Sequence, residues 1–325
     1  MKKYLILFTL FFISNFAFSK EFNLPFNFFI EPHINITYGE LGEFLYAKNN
    51  KGKDVVISRL DWQTKYLYSY GLNFNFDFSK LSFSAKFDSA IPRHCGKMFD
   101  SDWLEKNNLK TTYSIHDNNV FANYDVSFIA EYNHFKNKKF SIIPGLELSY
   151  TYTDFEASIG DGWKGQSDTS TTGESVSWND PAALRCKVAG ISYERQTLYT
   201  FLWLNIKVKP FKNNIFTIGG GISPYTYTYS CDKHHDSKNS LENGETFISV
   251  QQDYFTRYKY IISSEQILTN NLQLKISFSG IYGKQKKGDF YNDRYTEKPT
   301  KYSNQFAGSS ISQFTITASC KIKIF

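Results

Sequence analysis

With 325 residues, 37 Lys and Arg and 31 Asp and Glu, the chain carries a formal charge of +6; so small an excess reads as a solvated surface and excludes a nucleic-acid partner. It holds 31 Phe and 23 Tyr, with aromatics at 18% and charged residues at 21%. Beyond the first segment no stretch approaches the ~20 apolar residues of a spanning helix, which leaves strands with one greasy and one wet face.

The chain opens with Met1-Lys2-Lys3, an apolar run from Tyr4 to Ile13 and the small-x-small triplet Ala17-Phe18-Ser19. This is an export-signal pattern with a cut after Ser19. Residues 1–19 are therefore set apart as a signal peptide, and residues 20–325 are expected to form a single domain with no internal repeat or linker, which the pattern below reads as an outer-membrane β-barrel. Without Lys2 and Lys3 the exported chain keeps 35 basic residues against 31 acids, a net charge of about +4.

Period-two alternation then recurs. Tyr66, Tyr68, Tyr70, Leu72, Phe74, Phe76 and Phe78 share one parity, with Ser69, Gly71, Asn73, Asn75 and Asp77 on the other. Leu81 to Phe87, Leu272 to Phe278 and Phe314 to Ile324 repeat it, as expected of half-greasy strands. Short turns fall near 78–81, 134–139, 210–214 and 269–271, and long polar connections near 48–54, 94–119, 158–183, 231–244 and 284–303. Four short and five long connections predict an all-β fold, a ten-stranded antiparallel transmembrane β-barrel with long extracellular loops. A soluble β-sandwich would need no such aromatic excess. Strands longer than the ~9–11 residues that cross a bilayer predict a rim beyond it.

Two stretches carry chemistry. In Lys97-Met98-Phe99-Asp100-Ser101-Asp102-Trp103-Leu104 two carboxylates at i and i+2 stand among apolar walls, which raise the cost of ionising both. Downstream, Asp232-Lys233-His234 joins a carboxylate to an imidazole, the usual way to orient a general base. Placed in the loops after strands three and seven, the two pairs would meet across the barrel mouth.

Here the sequence resembles the omptins, outer-membrane proteases of Gram-negative bacteria, from about Tyr38 to Phe325. The likeness rests on Ser58-Arg59-Leu60-Asp61-Trp62, Met98-Phe99-Asp100-Ser101-Asp102-Trp103, His116-Asp117, Ala122-Asn123-Tyr124-Asp125 and Asp232-Lys233-His234, in matching order and spacing. The resemblance implies a ten-stranded barrel with its site facing outside and catalysis by Asp100, Asp102, Asp232 and His234. Water would be activated without an acyl-enzyme. A serine mechanism through Ser101 or Ser114 is the rival, and neither has a nucleophile-elbow glycine pattern around it. A different class of function, a catalytically silent barrel acting as adhesin or surface receptor, would not need all four side chains.

The resemblance also implies protein or peptide substrates cut at basic residues, with Glu43 in the specificity pocket and Met98 in its wall. A second pocket acid of the family falls on Ser230 here, with Asp236 a substitute if its loop folds inward. No cofactor or metal is implied. Outer-membrane lipid is an expected partner, yet lipopolysaccharide dependence does not carry over: Tyr150 fits, Asp154 and Gln196 stand where arginines are expected, and Arg195 is adjacent. Cys320 shares the outward apolar parity, as a free thiol would. Cys95 and Cys231 could bridge the two catalytic loops, and the four cysteines, Cys186 included, allow three pairings.

Overall fold

A computed structural model describes residues 26–104, 108–136, 139–235, 245–292 and 300–324; the signal segment and Asp236 lie outside the described residues. Fifteen strand segments form one sheet, and they compose ten staves: β1 (Phe26–Lys48), β2 (Asp54–Phe78), β3 (Leu81–Ala90 and Arg93–Leu104), β4 (Leu109–Tyr132), β5 (Phe140–Ala157 and Gly160–Lys164), β6 (Leu184–Val188 and Ile191–Phe211), β7 (Asn214–His234), β8 (Glu245–Asp253 and Arg257–Thr269), β9 (Leu272–Asn292) and β10 (Thr300–Lys323), with the two-residue piece Phe135–Lys136 in the turn before β5. Each stave pairs antiparallel with the next, and β10 returns to β1, with Ile34 opposite Ala318. The wall is a closed barrel, which leaves no edge to satisfy.

The lower half of the wall is greasy outside and wet inside. Ile34 is 64% and Ile276 65% exposed, and Phe128, Leu146 and Ile218 also face outward. Leaving each such side chain in water would forgo about 1.5–3 kcal/mol, so this belt belongs in lipid. Inside, Lys86 meets Asp88 at 2.6 Å, Lys259 meets Glu147 at 2.6 Å and Asn205 donates to Glu131 at 2.6 Å. Outward aromatics Tyr38, Tyr66, Phe121, Tyr150, Tyr254 and Tyr282 form the collar that marks the upper edge of the membrane.

Above the collar the polarity inverts. Arg59 and Asp61 pair on the outside at 2.8 Å, while Leu41, Leu60, Trp62, Met98, Phe155, Ile191 and Tyr193 cluster inside. The Trp62 ring, 0% exposed, stacks 5.0 Å from Tyr193 and 5.9 Å from Phe155. A bulge in β2 makes the switch: Thr37 faces Leu67 and Gly39 faces Thr64, so two β2 residues oppose one on β1. Tyr66 sits there with φ 61°, a left-handed geometry that a non-glycine residue adopts only when the surroundings impose it. Below the bulge even-numbered β2 residues face lipid; above it, Leu60, Trp62 and Thr64 face in.

The expected long connections are shorter than the sequence suggested. Residues 94–119 are mostly strand, since β3 runs to Leu104 and β4 begins at Leu109; residues 160–164 are also strand, β7 continues to His234, and β9 reaches Asn292. Beyond the bilayer the outer face meets water and the inner face holds both carboxylates and core, so the alternation that marks a lipid-crossing strand is masked. The proposed Cys95–Cys231 bridge is not made, and all four cysteines are free. Cys95 points inward against Gln63 and Asn118, whereas Cys231 lies between the inward Ser230 and Asp232 and takes the opposite face.

Candidate active site

The chemistry stands on strands, above the membrane collar. On β3 the two-residue period turns Met98, Asp100 and Asp102 to the inner face, neighbours on that face being about 7 Å apart along the strand. Asp100 lies opposite Leu60 on β2 and Ser114 on β4. Asp102 lies opposite Ser58, whose hydroxyl hydrogen-bonds it. On β7 the same period turns Ser230, Asp232 and His234 inward. His234 Nε2 donates to Asp232 Oδ2 at 2.9 Å, and its ring centroid lies 4.9 Å from that of Phe247. That bond fixes the tautomer and leaves Nδ1 to accept a proton.

Asp100, Asp102, Asp232, His234 and Glu43 line one cleft of about 890 Å³, walled by Leu60, Trp103, Phe247 and Phe290. Burial, then the charge of Asp102, pushes the Asp100 carboxyl up to about 8. Asp102 is raised by burial against the opposing bond from Ser58. Burial works to lower the His234 pKa, but the bond to Asp232 and the charges of Asp232, Asp100 and Asp102 outweigh it and lift the pKa to about 9. The cluster thus keeps a proton on the acid pair and attracts one to the imidazole.

Glu43, on the inner face of β1, is held well above the usual carboxylate range by burial and by Asp232, against the pull of Arg195. Met98 lies one inner-face place below Asp100, 0% exposed, within the apolar cluster rather than along the cleft. Arg195 turns into the barrel and donates to the Ser310 carbonyl at 2.9 Å. The outer wall at that level carries Tyr150, whose hydroxyl donates to Gln196 at 3.0 Å, and Asp154 with its acidic neighbours Glu194 and Glu156.

The serine alternative meets a different geometry. Ser114 is fully buried beside Asp100. Its hydroxyl is 2.7 Å from His116 Nε2, while His116 Nδ1 donates to the Ser158 carbonyl at 2.7 Å. Burial lowers the His116 pKa, so this imidazole is neutral and its partner is Ser114, not the cleft. Ser101 faces away from the two carboxylates on β3. Sequence reasoning missed the inward Arg195 and the floor residues Phe155 and Tyr193; their shared odd parity on β5 and β6 was the available signal.

A closed barrel with a lipid-facing belt and a recessed carboxylate–imidazole cleft beyond it is an outer-membrane protein with a surface-facing site. A family model described as the omptin family matches residues 25–324, and the chain belongs to that family, placing it in the outer membrane of a Gram-negative bacterium. Its fold is similar to that of the outer membrane protease OmpT from Escherichia coli, with a TM-score of 0.78 and 16% identity over 95% of this chain and 100% of that one. The outer membrane protein OprG from Pseudomonas aeruginosa gives a TM-score of 0.37 at 10% identity, over 92% of this chain and 95% of that one. The translocator domain of the autotransporter NalP from Neisseria meningitidis gives 0.37 at 7%, over 99% and 95%. No curated protein matches the chain significantly.

Proposed function

We propose that the chain is an outer-membrane endopeptidase in which a water molecule, held between the His234–Asp232 couple and the Asp100–Asp102 pair, attacks the peptide carbonyl. Neutral His234 takes the proton from water, and Asp232 holds the ring and stabilises the imidazolium. The proton kept by the Asp100–Asp102 pair is donated as a hydrogen bond to the developing oxyanion. The imidazolium then protonates the leaving amine, so no covalent intermediate forms. Substrates are protein or peptide segments, with Glu43 drawing basic side chains to the cleaved bond. Ser230 in place of a second acid leaves one carboxylate to grip the cation, where two would hold it from both sides.

The observation that carries this reading is the convergence of four catalytic-type side chains from β3 and β7 on one cleft. Its test is the cleavage of a dibasic fluorogenic peptide by detergent-refolded protein and by His234→Ala. The expected loss in the variant is about 10²–10⁴-fold, the usual contribution of a positioned general base. Equal cleavage by both, or none by the wild type, overturns the reading and favours a silent barrel.

A further inference from the structure

Below the cleft lies a charge that the mechanism above does not use. Arg195, on the inner face of β6, is 3% exposed and reaches across the lumen, Nη1 donating to the carbonyl of Ser310 on β10 at 2.9 Å. Its Nη2 has no hydrogen-bond partner among the described residues, and the same holds for two buried carboxylate oxygens around it, Glu43 Oε2 and Asp232 Oδ1, while Ser230 bonds Glu43 and Tyr193. Ser230 is the cross-strand partner of Arg195, and Tyr193 is that of Asp232. The cluster thus combines the donors Arg195, Tyr193 and Ser230 with the carboxylates Glu43 and Asp232.

A guanidinium does not lose its proton in a protein, so this charge is permanent. A buried cation is held only where opposite charge compensates it. Ser310, whose carbonyl Arg195 holds, follows Ser309, the cross-strand partner of Glu43, so the guanidinium lies beside the pocket acid; burial and Asp232 raise the Glu43 carboxyl well above its usual range, and the field of Arg195 opposes them. A substrate cation arriving at Glu43 meets one carboxylate and, behind it, a fixed charge of its own sign. An uncharged side chain suffers no such repulsion.

We propose that Arg195 is the specificity-determining counter-charge of the pocket: it neutralises Glu43 from below, so that the cleft accepts uncharged side chains at the cleaved bond nearly as readily as basic ones. The inference rests on the peptidase reading of the cleft and deepens it. It makes the substrate class broader than the dibasic one and locates the cause in a residue that points away from lipid.

The test uses two peptides identical except for arginine or citrulline at the cleaved bond, citrulline having nearly the shape of arginine without its charge. The ratio of kcat/KM for the two is expected to be under about tenfold in the wild type, to rise at least tenfold in Arg195→Met and to stay within about twofold of wild type in Arg195→Lys. A merely structural loss would weaken both peptides alike and leave the ratio unmoved. An unchanged ratio in Arg195→Met, or a wild-type ratio above about a hundredfold, overturns the proposal. If Arg195→Met fails to refold, the wild-type ratio decides alone. If the wild type cuts neither peptide, the peptidase reading falls, and fluorescence-anisotropy binding of the same peptides to the wild type still judges Arg195: arginine bound more than about a hundredfold tighter than citrulline overturns it.

Discussion

At the scale of single residues, the site is a set of protons placed against their ordinary preferences. Asp100 keeps its proton to about 8 and His234 to about 9. The proposed mechanism needs the imidazole free and the acid pair protonated. A raised pKa keeps His234 charged, hence useless as a base, through the neutral range, and deprotonation of the acid pair removes the oxyanion's donor above about 8. We therefore expect kcat/KM to climb steeply from pH 5 and turn over between pH 8 and 9, with apparent values belonging to the cluster. Full activity at pH 5 would rule out His234 as base. Asp232→Asn removes the anion that favours the imidazolium, so the rising limb should move toward acid while kcat falls about 10²–10⁴-fold, as for an orienting aspartate elsewhere. In the pocket, Ser230→Asp should sharpen selectivity for arginine and Glu43→Gln should nearly abolish it. Cleavage-site profiling of a peptide library on both variants checks this, and an unchanged profile in Glu43→Gln would remove Glu43 from the pocket.

At the scale of the strand, one residue decides which face is which. The Tyr66 bulge lets the lower part of β2 show lipid its even-numbered aromatics while the upper part turns Leu60 and Trp62 inward. Tyr66→Gly relieves a left-handed φ of 61° and should refold at least as well as the wild type. Deleting Tyr66 removes the extra residue of the bulge and leaves Leu67, Thr64 and Trp62 on the inner face of a regular ladder, so refolding, read as the heat-sensitive gel shift of a closed barrel, should survive. The alternation from Tyr66 to Phe78 was plain in the sequence because one face there meets hydrocarbon. The strand character of residues 97–104 was hidden, because Asp100 and Asp102 occupy the face that Met98 and Cys95 fill lower down. The direction of Arg195 was equally hidden: its charge suggested a surface, and only the odd parity of Tyr193 and Tyr199 on β6 told otherwise.

At the scale of the whole molecule, the barrel is two containers stacked end to end. The lower one is a soluble interior wrapped in grease, and the upper one is a conventional apolar core wrapped in polar residues. Trp62, with Phe155 and Tyr193, divides them. Trp62→Ala should cost about 3–5 kcal/mol, as for other large core aromatics, and reduce cleavage through the floor of the cleft, while Trp62→Phe should retain most of both. Thermal unfolding of the refolded barrel together with peptide turnover separates the two variants.

The proposed catalytic groups hang on staves rather than on loops, and this limits what they can reach. Asp100 lies four residues below the last residue of β3, a depth of about 10 Å once strand tilt is allowed for. Paired strands on both sides cannot splay to admit a folded surface. A target bond has to be brought down to them, which asks its own protein to surrender a length of backbone as slack. The mobility of the victim's chain, more than its sequence, would then decide where this cell-surface blade falls.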